Sequence, residues 1–248
     1  MPNQHQTSFY PVQIVQTYLN DTGSADMQIR GVGSDNLNYA IKSLADGNGR
    51  VPATEMFCYE LASCLDIATP GYSIVQLNDN SIAFGSVWEG RAFQVKDTLQ
   101  AFDILEGRTH IEGLGDFFSK VYAFDLFINN VDRHFGNYLF RRTAKTTIAL
   151  AFDFSRAWYV IDHAGYEATA PTTNTRRYNR YIRNYNHYAH AVAEETLRNI
   201  SKLPKNRIET IINAIPSEWF HGDFAKEFLN WWGSDDMNAR ISHLQSEI

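Results

Sequence analysis

Aromatic and β-branched residues in partial alternation over residues 8–18 predict an opening strand. Asp21-Thr22-Gly23-Ser24 reads as a turn, and Met27 to Val32 as a second strand ending at Gly31-Val32-Gly33-Ser34. Leu37 to Leu44 alternates again, with Tyr39 and Ile41 on one face and Asn38, Ala40 and Lys42 on the other. A helix opens at Val51-Pro52-Ala53-Thr54-Glu55, with its cap near Ala53 or Thr54 and Glu55 in its first turn. Its apolar stripe of Met56, Phe57, Tyr59, Leu61, Ala62 and Leu65 runs on toward Pro70. Tyr72 to Leu77 and Ser81 to Trp88 then form the two arms of a hairpin, joined by the turn-forming Asn78-Asp79-Asn80.

From about Phe102 the period changes from that of a strand to that of a helix. Phe102 to Leu105 and Leu114 to Asn130 have helical spacing, the second long and apolar enough to be buried. Thr147 to Phe152 is a β-branched and apolar run, and a hairpin from Tyr138-Leu139-Phe140 through Thr143-Ala144-Lys145 to Ile148 precedes it. Glu194 to Ile200, Arg207 to Ile215 and Phe224 to Trp232 are expected as packing helices, broken at Pro204 and Pro216, with Trp219, Trp231 and Trp232 in the core. The organisation this predicts is α+β: a β-rich unit with one helix over 1–88, a hinge or linker over 89–112 with Trp88-Glu89-Gly90 as its pivot, and a mainly helical unit over 113–248.

Composition narrows the function classes. With 44% hydrophobic and 20% charged residues, the chain has the profile of an ordinary soluble globular protein. A formal net charge of −6 argues against a general nucleic-acid binder. No charged-then-apolar leader and no membrane-length apolar run is present, which makes a reducing cytoplasm the expectation. Cys58 and Cys64 fall on different faces of one expected helix, so no disulfide is expected between them.

The candidate chemistry lies in Asn129-Asn130-Val131-Asp132-Arg133-His134-Phe135-Gly136-Asn137, with Phe152-Asp153-Phe154-Ser155 beyond the hairpin. A capped helix end with a solvated Asp-Arg pair would explain Asp132 and Arg133 alone. Asn137 and Asp153 change that, because the hairpin brings them side by side as an amide oxygen and a carboxylate, hard ligands suited to magnesium shared with phosphates. Asp132 then faces the attacking hydroxyl, and His134 supports the loop. In the β-rich unit, Lys42 can reach phosphates from a strand end, and Glu55 can hold it there, with Glu60 as the rival partner. Gly31-x-Gly33 with Ser34 is at best an abbreviated phosphate loop, since the full glycine fingerprint is absent. An exposed strand lysine and a dipole-stabilised helix carboxylate are the plain alternatives for Lys42 and Glu55.

Together, Tyr-Ala-Ile-Lys42, Thr-Glu55 at a helix start, Phe-Gly-Ser86 before the hinge, Asn-Asn-Val-Asp132-Arg-His-Phe-Gly-Asn137 and Phe-Asp153-Phe-Ser resemble the HipA-like kinase family, in particular its short, single-module members. These are remote relatives of the phosphoinositide 3/4-kinases. The resemblance covers roughly residues 25–160. It implies a two-lobe protein-kinase-like fold with ATP and Mg2+ in the cleft and phosphoryl transfer to a Ser or Thr hydroxyl of a protein. It further implies that Lys42, Glu55, Gly33, Ser34, Ser86 and Trp88 lie on the nucleotide side, with Asp132 as base and Asn137 and Asp153 on the metal. An antitoxin-like partner is expected on the same ground. At 248 residues, the extra N-terminal subdomain and large helical lobe of full-length HipA are not expected in this chain. An inert nucleotide-binding module and a kinase of inositol lipids or small metabolites are the alternative readings.

Farther on, Ala168 to Thr175 is polar and expected to be mobile, with hydroxyls at Thr169, Thr172, Thr173 and Thr175 as phosphate acceptors. Arg176 to Tyr185 interleaves four arginines with three tyrosines. An amphipathic helix with a solvated arginine face explains that pattern better than a surface for acidic protein or RNA. His221-Gly222-Asp223 lacks the Asn and later Asp that would make it catalytic, and His187 with His190 has no third ligand at readable spacing.

Overall fold

The computed structural model describes residues 10–19, 29–88, 92–95 and 97–248. The expected turn at residues 21–24, the start of the second strand and Glu89-Gly90 of the expected pivot lie outside them. The fold is mixed α+β.

Five strands close into a barrel: β1 (Val12–Leu19), β2 (Ile29–Gly33), β3 (Asn38–Lys42), β4 (Tyr72–Gln76) and β5 (Ile82–Val87). Successive partners are antiparallel except β1 with β4, where a parallel pairing of Val12 with Val75 completes the ring. The alternation read in β3 is realised: Tyr39 and Ile41 join Val12, Ile14, Val75 and Ala83 in a small core of their own. Gly31 has a packing reason here, because a Cβ on it would lie 2.7 Å from Ile14 and 2.8 Å from Ile41.

Between β3 and β4 runs α1 (Val51–Cys64). Its start differs from the sequence expectation. Arg50 is the cap residue and uses no side chain, Pro52 sits in the opening positions, and Thr54 donates to the Arg50 carbonyl at 2.8 Å. Glu55 therefore lies beyond the first four residues of α1, and the helix stops at Cys64, short of Pro70. The α1 side chains Ala53, Met56, Phe57 and Leu61 belong to the large core of the helical part, where Phe57 stacks on Trp158 with ring centroids 3.9 Å apart.

The segment expected as a linker has structure. β6 (Ala92–Gln94) pairs with β7 (Tyr138–Arg142), which pairs with β8 (Thr147–Ala151). α2 (Thr98–Leu105) is longer than the Phe102–Leu105 expected and is capped by Asp97, which accepts from the Gln100 amide at 2.9 Å. α3 (Leu114–Phe127) is buried along most of its length and ends with Asn129 in the left-handed region, the conformation that commonly closes a helix. Helices α4 (Asn174–Asn184), α5 (His190–Lys202), α6 (Lys205–Ala214), α7 (Phe224–Trp231) and α8 (Asp235–Glu247) complete the chain. The last was not anticipated. Cys58 and Cys64 are free. Among the described residues, no helix is long and apolar enough to cross a membrane.

Residues 168–175 differ from the mobile stretch their polarity suggests. Ala168 is buried and its amide donates to Asn129 Oδ1 at 2.8 Å. Thr173 caps α4 by accepting from the Arg176 amide, and Thr175 is buried with its hydroxyl 2.6 Å from the Asn130 carbonyl. The hydroxyls of Thr173 and Thr175 hold backbone together, so they are not open acceptors.

Candidate active site

Lys42 stands at the end of β3 with its side chain turned from the barrel core toward α1. Its ammonium lies 2.5 Å from Glu55 Oε1 and 2.5 Å from Asp153 Oδ1, joining groups 111 positions apart in the chain. Glu55 also accepts from the Phe154 amide at 2.8 Å. One helical turn on, Tyr59 packs edge-on against Phe154. The same face of α1 thus holds both the lysine and the segment carrying Asp153. Glu60, the rival partner, instead accepts from the Tyr72 hydroxyl at 2.6 Å.

The electrostatics follow from burial. Desolvation alone would push the Lys42 ammonium down, but Asp153 and Glu55 beside it hold it above its ordinary value. Desolvation would push Asp153 up; Lys42, with help from the Ser155 hydroxyl at 2.6 Å, holds it well below the usual carboxylate range. Glu55 is the reverse: burial, reinforced by Asp153, leaves it above its ordinary value despite Lys42. One carboxylate of the pair is strongly acidic and the other resists ionisation.

Asp153 has φ of 61°, a conformation that non-glycine residues seldom adopt and that Asp tolerates better than most. It lies two residues past the end of β8, and the left-handed turn aims the carboxylate at Lys42 while Phe154 goes into the core. The expected hairpin is present. Tyr138 pairs with Ala151, and the Phe152 amide donates to the Asn137 carbonyl at 3.2 Å, setting the backbones of Asn137 and Asp153 side by side.

Asp132 sits in the loop between α3 and β7, whose shape is fixed by a buried framework. Arg133 donates to both oxygens of Asp125 on α3, at 2.8 and 3.1 Å, and to the carbonyls of Asn137 and Phe152. Asn130 donates to Asp125 at 2.8 Å and accepts from the Asp132 amide at 3.2 Å. His134 Nδ1 accepts from the Gly136 amide at 3.1 Å, the supporting role read for it. Burial holds its imidazole below its ordinary value. The amide of Asn137 donates to the Asp132 carbonyl at 2.9 Å, so its own Oδ1 faces away from that bond.

This donor set fits magnesium. Asn137 Oδ1 and Asp153 Oδ2 receive no hydrogen bond from any described residue, while Asp153 Oδ1 takes Lys42 and Ser155. Both are hard oxygens of the kind magnesium takes from protein, with its remaining positions left to water and phosphate.

The structure does not bring every expected residue to this cluster. Gly33 and Ser34 form the turn into β3, four or more residues from Lys42, about 13 Å along the strand. There the Ser34 amide donates to the Gln13 carbonyl, and a Cβ on Gly33 would lie 2.7 Å from Val12. Their pattern reflects barrel packing. The Ser86 hydroxyl is shared with Tyr59 at 2.9 Å and braces β5 against α1. Trp88 continues β5 through its amide to the Asn38 carbonyl, with the Arg30 guanidinium over its ring at 4.5 Å.

Sequence reasoning missed Asp125 and Asn174 as parts of the site, and gave Asn130 and Thr175 no part in holding the Asp132 loop. Asn174, at the first position of α4, donates to Asp132 Oδ1 at 2.5 Å, and the Arg133 amide donates to the Thr175 hydroxyl at 3.1 Å. The only signal was a polar Thr-Thr-Asn-Thr ahead of an amphipathic helix, which reads as a helix start and carries no pointer to Asp132.

A barrel whose lysine is tied to a helix carboxylate, facing an aspartate-asparagine loop and a second aspartate past a hairpin, has the layout of a phosphotransferase of the kinase class. The profile of the HipA-like kinase family matches residues 29–246, and the chain belongs to that family. Among solved structures, it is similar to the Helicobacter pylori proinflammatory kinase CtkA, with TM-score 0.59 and 15% identity over 99% of this chain and 98% of that one. It is also similar to HipA of the Shewanella oneidensis MR-1 toxin-antitoxin system, determined with HipB and operator DNA. There the TM-score is 0.51 and identity 10%, over 95% of this chain and 67% of that one. Comparison with curated proteins gives no match.

Proposed function

We propose that this chain is an ATP- and magnesium-dependent kinase that transfers the γ-phosphoryl group to a Ser or Thr hydroxyl of a protein. The barrel with α1 acts as an N-lobe (residues 1–88), residues 89–112 as the hinge region and residues 113–248 as the C-lobe. The observation that carries this reading is the ammonium of Lys42 at 2.5 Å from both Glu55 and Asp153, with Asn137 tied to the same segment.

In this reading Lys42 contacts the nucleotide phosphates and Glu55 keeps it extended. Asp132 accepts or orients the proton of the acceptor hydroxyl. Asn137 and Asp153 hold magnesium, which when bound neutralises charge on the phosphates. Arg133 keeps Asp132 and Asn137 in register without touching substrate. The HipA relative also motivates an antitoxin-like protein partner, and the expected place of action is the cytoplasm.

The test is incorporation of labelled γ-phosphate by purified protein with Mg-ATP, into itself and into cell lysate. Lys42→Met, Asp132→Ala and Asp153→Ala should each reduce incorporation by about 10²-fold or more, the scale set by positioned acid-base and electrostatic groups. No nucleotide binding by the wild type, or unchanged transfer in the Asp132 and Asp153 variants, would overturn the reading.

A further inference from the structure

We infer that Asn174 is a positioning residue for the Asp132 carboxylate, supplied by the N-terminus of α4 rather than by the loop that carries Asp132. The inference rests on the reading that Asp132 is the base.

Every polar group of Asp132 but one is engaged by the described residues. Its amide donates to Asn130 Oδ1 at 3.2 Å and its carbonyl accepts from Asn137 Nδ2 at 2.9 Å. Of the carboxylate oxygens, Oδ1 accepts from Asn174 Nδ2 at 2.5 Å. A carboxylate oxygen accepts only, so the amide nitrogen of Asn174 must be the atom facing it. Oδ2 is left to receive the proton of an incoming hydroxyl. A hydrogen bond to one oxygen of a carboxylate fixes its plane, and the reactive geometry needs that plane fixed.

The support for Asn174 is itself anchored on both sides of Asp132. Thr175, the next residue, donates to the Asn130 carbonyl at 2.6 Å and accepts from the Arg133 amide at 3.1 Å. Thr173, the preceding residue, caps α4. Thr173 thus fixes the start of the helix, Thr175 docks it onto the loop, and Asn174 between them reaches the carboxylate. Asn174 lies 42 positions from Asp132, so the base and its orienting group come from separate elements.

The experiment compares Asn174→Ala and Asn174→Asp with wild type for kcat, KM for ATP and thermal stability, with Asp132→Ala as the reference. Both variants should lose kcat by about 10²-fold with KM for ATP unchanged, as expected for a misaligned base. Asn174→Asp separates alignment from folding. Its carboxylate is isosteric and suits the first turn of α4, which offsets part of the repulsion it brings to Asp132, so Tm should fall no further than in Asn174→Ala; when ionised it cannot donate to Asp132, so kcat should fall at least as far as in Asn174→Ala. Wild-type kcat in Asn174→Asp, or losses in both variants that simply follow a fall in Tm, would overturn the inference. An Asp132→Ala protein as active as wild type would instead overturn the reading beneath it.

Discussion

Two buried cation-carboxylate clusters meet just past β8, where Arg133 binds the Phe152 carbonyl and the next residue, Asp153, binds Lys42, and they are built in opposite ways. Arg133 makes bonds to both oxygens of Asp125 and to two carbonyls, from side chains 3% and 0% exposed. Its planar fork matches a carboxylate in two places at once and has little left to offer a ligand. Lys42 is a point charge between Glu55 and Asp153, and Asp153 remains 17% exposed with one oxygen unbonded to described residues. The saturated cluster holds the loop's shape. The unsaturated one keeps the capacity to exchange a protein contact for a ligand contact, which the proposed phosphoryl transfer would require of it.

If that contrast is right, the largest effect on folding comes from Arg133→Met. It strands the Asp125 carboxylate, whose pKa burial already raises against the pull of Arg133. Breaking such a pair costs about 3–5 kcal/mol, a fall in Tm on the order of 10 °C for a chain of this size. Lys42→Met should cost roughly 1–3 kcal/mol, since Glu55 keeps the Phe154 amide and Asp153 reaches water. Equal losses in thermal unfolding of the two variants would erase the distinction.

A smaller effect sharpens the comparison through pH. Asp153 is held below its ordinary value of 3.8, so its folded form binds protons less readily than its unfolded form. Its contribution is fully present above the ordinary value and is lost as pH falls through the folded one. Glu55 and Asp125, both raised, act with the opposite sign: the folded state takes up their protons first, so they favour folding as pH falls through their raised values. Asp153→Asn should therefore lose less stability than wild type when denaturant unfolding is followed from pH 4 downward. A parallel decline in the two proteins would show that Lys42 does not hold Asp153 ionised. The smallest expected effect is that of Ser155→Ala, which removes the 2.6 Å bond to Asp153 Oδ1 at a cost of about 1 kcal/mol, and kcat should fall only a few-fold.

Local chemistry was legible in the sequence wherever neighbours in the chain decide it. Alternation gave β3 and the two hairpins, and helical spacing gave α1 and α3. The hairpin between Asn137 and Asp153 followed from turn residues and β-branched runs, and Lys42 with Glu55 from the ends of adjacent elements. What was harder to read depended on closure in three dimensions. Gly33 and Ser34 read as a phosphate loop in the sequence, and the pairing of β1 with β4 completes a barrel that packs Gly33 against Val12 at the far end of β3 from Lys42. Residues 168–175 look mobile only until Asn129, at the end of α3, reaches across 39 positions to hold Ala168. Asn174 was invisible because nothing near it in sequence marks its target.

The buried Arg240 of α8 sets a timetable for the molecule. Its guanidinium binds the carbonyls of Leu126 and Phe127 at the end of α3 and those of Ala164 and Gly165, ahead of the polar stretch that leads into α4. On the ribosome, chains emerge N-terminus first at about 5–20 residues per second. Barrel, lysine, aspartate loop and hairpin are therefore all made seconds before the residue that fastens α3 to the segment leading into α4. A nascent chain can carry every reacting group and still lack the fastening. The fastening arrives late in synthesis, with the emergence of a single arginine.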